Sequence, residues 1–109
     1  MKTTKEQARI YLDIISTQKE AIHMHENDIE SAIGVHVDCD AGVFRTMWSF
    51  LDRYIDLTAE QTGIDMHALN WFVFENNCGK NKMSSAWPGK EMRVIDSIDA
   101  FLDFQYENE

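Results

Sequence analysis

Proline is nearly absent from this chain. Pro88 is the only one in 109 residues, so no ring interrupts the apolar-periodic stretches before it, and long helices are permitted there. Cysteine is scarce too. Cys39 and Cys78 alone cannot form a disulfide framework, and two free thiols are the expectation. Bases are few: ten Lys and Arg stand against nineteen Asp and Glu, a net charge of −9. No base occurs between Lys19 and Arg45, or between Arg53 and Lys80. A face that tracks nucleic-acid phosphates needs the opposite balance, so direct phosphate-backbone binding is not expected. No apolar run has the length needed to cross a bilayer. The opening MKTTKEQAR is polar with no apolar region behind it, and the expected location is cytoplasmic, away from membranes. Low-complexity segments and internal repeats are also lacking.

What is present suits one domain over 1–109. The hydrophobic fraction of 44% is that of a folded chain. The most apolar stretch runs from Leu69 to Lys80, LNWFVFENNCGK, and stops abruptly at Asn76-Asn77-Cys78-Gly79. Asp65 is placed to cap a helix here, and Gly79 suits a left-handed end. A buried strand is the rival reading, because Trp71 to Phe74 has high β propensity. The cap and the stop favour helix.

Taken in order, Thr4 with Gln7 forms a capping box, with Thr3 and Glu6 as an alternative. Ala8, Ile15, Ile22 and Ile29 then recur every seven residues. The stretch reads as one helix to Ile33, or as two with a break near Thr17 or His25. Gln18 and His25 fall on its inner side. A four-residue seam is long for so small a core, and a homodimer is expected from it. Val35 to Cys39 alternates apolar with polar. Asp40 can cap the next helix, whose inner face is Phe44, Met47, Trp48, Leu51, Tyr54, Ile55 and Thr58. Trp48 and Leu51 are expected in the core. Gly63 closes that helix and Ile64 folds back over it. A loop runs from Gly79 to about Gly89. Lys90 to Ile95 reads as a short strand, with Val35 to Cys39 as its partner. Ser97 caps a last helix carrying Ile98, Phe101, Leu102 and Gln105, and the YENE tail is expected to fray. The fold class is mainly α, a small helical domain with at most a short two-stranded sheet.

Chemistry-bearing clusters are thin. His36, Asp38, Cys39 and Asp40 gather four possible ligands, but zinc would want softer ligands and a second pair, and the calcium-loop spacing is absent. His23 and His25 diverge on a helix. Cys78 follows a helix C-terminus, where the dipole opposes a thiolate. Glu75 is the acid expected to be partly buried, paired with Arg93 or Lys80. GKNK lacks the flanks of a phosphate loop. No catalytic residue, metal or cofactor is assigned.

The charge layout is more informative. After Gly79 the sign reverses, with Lys80, Lys82 and Arg93 beside Trp87, a composition common in contact sites. Glu26, Asp28 and Glu30 lie in a base-free stretch and form an acidic counterpart. These seven residues are the candidate binding residues, and the expected partner is a protein.

Trp71-Phe72-Val73-Phe74-Glu75, then Cys78-Gly79-Lys80, then Val94 to Leu102 resemble small uncharacterised proteins of phages and prophages. The resemblance covers about a third of the chain and implies no activity. It implies a small accessory protein that acts by binding, such as an inhibitor of a host defence system. Two alternatives stand beside it. One is an acidic DNA mimic that occupies a nucleic-acid-binding cleft. The other is a small enzyme using a thiol or metal, with Cys39, His36 or Cys78 as its reactive group.

Overall fold

A computed structural model describes the backbone at 1–33, 42–85 and 92–107, and the side chains there except at 27–33, 42–44 and 84–85. The chain is mainly helical, with one two-stranded sheet among the described residues. Helix α1 spans Lys5–Ile33 without a break. Its start is the Thr4 box: the Gln7 amide donates to Thr4 Oγ1 at 3.2 Å and the Thr4 amide to Gln7 Oε1 at 3.0 Å. Thr3 is not the cap, because its hydroxyl meets the Tyr106 hydroxyl at 3.2 Å.

Ala8, Leu12, Ile15 and Ile22 are buried. The heptad seam therefore lines this chain's own core, and its spacing is no argument for a second copy. Ile29 lies outside the described side chains, as does Phe44.

Helix α2, Gly42–Thr62, runs antiparallel to α1: Tyr54 meets Tyr11, while Trp48 meets Glu26. Leu51 and Ile55 are buried. Thr58 and Thr62 join them because each hydroxyl donates to the carbonyl four residues back, at 2.8 and 2.6 Å. Trp48 departs from expectation. It is only half-buried, since it lies over the edge of the core rather than within it. Gly63 closes α2 at φ 82° and Ile64 is buried behind it.

Asp65 caps α3, Met66–Asn70, accepting from the Ala68 amide at 3.2 Å. Helix wins over strand in the aromatic run, but as a π turn over Trp71–Glu75. The wider turn shows in the Asn76 amide, which donates to the Trp71 carbonyl at 2.9 Å. It brings Phe72 and Val73 inward together, and Phe72 stacks on Phe101 with ring centroids 4.2 Å apart. The stop is longer than one glycine: Asn77, Cys78 and Gly79 all take positive φ, at 54°, 55° and 96°.

Strand β1, Met83–Ser85, interrupts the expected loop and pairs antiparallel with β2, Arg93–Ile95. The partner of β2 is thus its near neighbour. The Val35 to Cys39 segment assigned to that place lies outside the described residues, as do His36, Asp38, Asp40 and Trp87. Helix α4, Ile98–Gln105, is capped by Ser97, which accepts from the Ala100 amide at 3.0 Å. Phe101, Leu102 and Phe104 are buried from it. Surface ion pairs from Lys5 to Asp103 and from Arg9 to Asp99 lay α4 along α1. The tail does not fray at Tyr106, whose hydroxyl reaches the Thr3 carbonyl at 3.2 Å.

Candidate functional site

Lys19 organises the most built part of the surface. It sits between Ile15 and Ile22 on the inner stripe of α1 and is 7% exposed. Its ammonium donates to the Val73 carbonyl at 2.6 Å and to Asn77 Oδ1 at 2.8 Å. The Val73 carbonyl belongs to the π turn and Asn77 to the left-handed residues after it, and the cation meets both where the helix dipole ends negative. Burial lowers the Lys19 pKa from its ordinary value. Gln18, expected on the inner side, is half-buried, and His25 is exposed.

Beside Lys19 opens a cleft of about 260 Å³, bounded by Ser16, Glu20, His23, Cys78 and Lys80 among others. Cys78 is buried and free. Burial pushes its thiol up, while Lys19 and a hydrogen bond with Ser16 pull the other way with less effect. A raised pKa keeps the thiol protonated at neutral pH, the reverse of what activates a nucleophile. Lys80 forms an ion pair with Glu20, which holds the Glu20 carboxyl below its usual range.

Across the rim lies an aromatic group. The Trp48 ring stands edge-on to His23 at 5.4 Å and tilted against Phe74 at 6.4 Å. Its indole N–H donates to Glu26 Oε1 at 3.2 Å, so the orientation of the ring is held by a carboxylate. Phe74 is 42% exposed and Met24 64% exposed. The Lys19 ammonium lies 5.6 Å from the Phe74 ring centroid, in cation–π range.

The basic residues do not converge. Lys80 turns to α1 and Glu20. Arg93 turns to the tail, donating to Glu107 at 2.7 Å and stacking 5.3 Å from the Phe104 ring centroid. Lys82 is exposed at the other end of the hairpin, next to Met83, which pairs with Ile95. Glu26 belongs to the aromatic group; Asp28 and Glu30 follow it on α1, with side chains outside the description. Glu75 is exposed, and neither proposed ion pair forms, because Arg93 and Lys80 have other partners. Among the described residues, no three His, Cys, Asp or Glu side chains gather closely enough to hold a metal.

Lys19, His23 and Phe74 were missed as site residues. Lys19 had a signal: a lysine spaced four from Ile15 and three from Ile22 stands on an apolar stripe. His23 and Phe74 had none, since their meeting depends on how α1, α2 and the π turn pack. No protein family, curated protein or solved structure matches this chain.

Proposed function

We propose that the chain is a small acidic protein that works by contact with another protein, without chemistry of its own. An accessory role, such as inhibition of a host defence system, fits the resemblance in its second half. The observation that carries the reading is an exposed Phe74 set against a Trp48 ring already fixed by Glu26. Rigid aromatic groups lose little freedom on binding and dominate contact energies. Asp28 and Glu30 follow Glu26 in the sequence of α1, a run of acids that suits a partner with basic residues around an apolar spot.

Pairing of the acids and burial of Cys78 weigh on the alternatives. A DNA mimic needs its acids free as a track, whereas Glu20 is paired with Lys80 and Glu26 with the indole. A thiol enzyme needs an exposed, activated cysteine, and Cys78 is buried with its thiol raised. Partner capture followed by binding kinetics tests the proposal. Phe74→Ala should speed dissociation by about thirtyfold, the equivalent of a 2 kcal/mol contact residue. Unchanged kinetics with Phe74→Ala, together with loss of activity in Cys78→Ser, would transfer the function to the thiol.

A further inference from the structure

The cleft beside Lys19 holds more hydrogen-bond donors than the chain uses. One wall is α1, with Lys19 and Glu20, and the other is the left-handed turn, with Asn77 and Cys78. An ammonium has three N–H groups and no lone pair. Lys19 gives one to the Val73 carbonyl and one to Asn77 Oδ1. Among the described residues nothing accepts the third. The same contact fixes the Asn77 amide. Lys19 can only donate, so Asn77 must present its oxygen and turn its nitrogen away. No described residue accepts from that nitrogen either. Two unused donors therefore stand side by side, on groups joined by one bond of 2.8 Å.

The acceptors of the cleft are already committed. Glu20 is paired with Lys80. The Cys78 thiol is held protonated by burial and is hydrogen-bonded with Ser16. Two ammonium groups, Lys19 and Lys80, face the single carboxylate of Glu20, a local excess of positive charge in a chain of net −9. Surplus donors and one surplus positive charge select a ligand that only accepts and carries one negative charge. A carboxylate meets both demands, with two oxygens for two adjacent donors. A dianion would be repelled twice as strongly by Glu20. The volume of about 260 Å³ lies below the ~300–1,000 Å³ of pockets for drug-sized molecules, so the ligand has few carbon atoms. Met24 lines the same cleft and offers those carbons an apolar wall.

We infer that this cleft binds a small monocarboxylate, its oxygens on Lys19 Nζ and Asn77 Nδ2 and its tail toward Met24. The inference needs no protein partner and stands apart from the Phe74 contact. Titration of the full chain with butyrate, followed by NMR of the backbone and asparagine side-chain amides, is the test. A dissociation constant on the order of 1 mM is expected for a ligand of this size. Butyramide has the same shape without the charge and should bind about tenfold more weakly or worse. Asn77→Asp keeps an oxygen for Lys19 but replaces the neighbouring donor by an acceptor, and aspartate tolerates the left-handed backbone there. It should weaken butyrate binding by about thirtyfold or more. Glu20→Gln, at an exposed position, removes the opposing charge and releases Lys80, and should tighten binding about fivefold. A wild type that does not bind butyrate would overturn the inference. So would equal binding of butyrate and butyramide, or an Asn77→Asp variant that binds as the wild type does. Should Asn77→Asp fail to fold, Glu20→Gln decides alone, and unchanged affinity there overturns it. Binding of a glutamate-containing peptide without binding of butyrate would also overturn it, by assigning the cleft to a protein's carboxylate.

Discussion

Lys19 carries an ammonium into the wall of the cleft with only 7% of the residue exposed, and two opposing effects meet there. Burial disfavours the charge, which is why its pKa falls. Against this stand two charge-assisted hydrogen bonds, to the Val73 carbonyl and Asn77 Oδ1. Each such bond contributes about 1.5–3 kcal/mol, and orphaning a buried acceptor costs about 1–3 kcal/mol. The acceptors win, because the Val73 carbonyl is buried and Asn77 Oδ1 half-buried, and Lys19 bonds both at once. Lys19→Met keeps the stem and removes the donors, and should cost about 2–3 kcal/mol in urea denaturation. A variant as stable as the wild type would show that the buried charge is a net burden, as with some buried ion pairs. Residues of this kind set the limit of what sequence reveals. The capping box at Thr4, the caps at Asp65 and Ser97 and the burial of Leu51 follow from local pattern, and they are found in the structure. The tasks of Lys19 and Glu26 depend on residues more than twenty positions away, and no local rule contains them.

Among the elements, the helices were legible and the turn after the aromatic run was only partly so. Periodicity places α1, α2 and α4 because a helix must bury one stripe. It does not place β1, whose three residues Met83–Ser85 are too few to show a pattern. Gly79 was legible as a helix stop, but its packing was not. A Cβ built on Gly79 would lie 2.6 Å from both Ser97 Cα and Ser97 N, at φ 96°. Backbone cannot yield there as a flexible side chain would. The turn also holds the sheet: Asn76 Nδ2 donates to the Asn81 carbonyl at 2.8 Å and to the Ile95 carbonyl at 2.9 Å. Gly63 makes the useful contrast. It shares a positive φ of 82°, but an added Cβ would approach Lys2 N no closer than 3.4 Å. Gly63→Ala should therefore cost about 1 kcal/mol, from the backbone conformation alone. Gly79→Ala should cost about 3 kcal/mol or more, because α4 must move with its Ser97 cap. Equal losses for the two, measured by chemical denaturation, would mean that the close approach at Ser97 relaxes freely.

For the molecule as a whole, charge decides which face meets what. The chain is strongly acidic, yet four of its described bases are tied down: Lys80 to Glu20, Arg93 to Glu107, Lys5 to Asp103 and Arg9 to Asp99. Exposed pairs of this sort contribute little to stability, about 0–1 kcal/mol each. Their larger effect is on recognition, because a base already paired offers less attraction to an incoming acid. The basic residues read from the sequence as one loop are thus divided between two sites, one on α1 and one at the tail. Glu26, at the start of the acidic run of α1, touches the aromatic group directly through the Trp48 indole. Association with a basic partner should therefore depend on the acids. Replacing Glu26, Asp28 and Glu30 together by their amides should slow association about tenfold at low ionic strength and flatten its salt dependence. Replacing Lys80, Lys82 and Arg93 by Gln should change the rate little, since Lys80 and Arg93 are already neutralised within the chain. Glu26→Gln alone keeps an acceptor oxygen for the Trp48 indole, so it separates loss of charge from loss of the aromatic geometry. Stopped-flow association across a salt series reads all three variants. If the basic triple slowed association and the acidic triple did not, the partner would be meeting the hairpin rather than the end of α1, and the Phe74 patch would lose its place as the centre of contact.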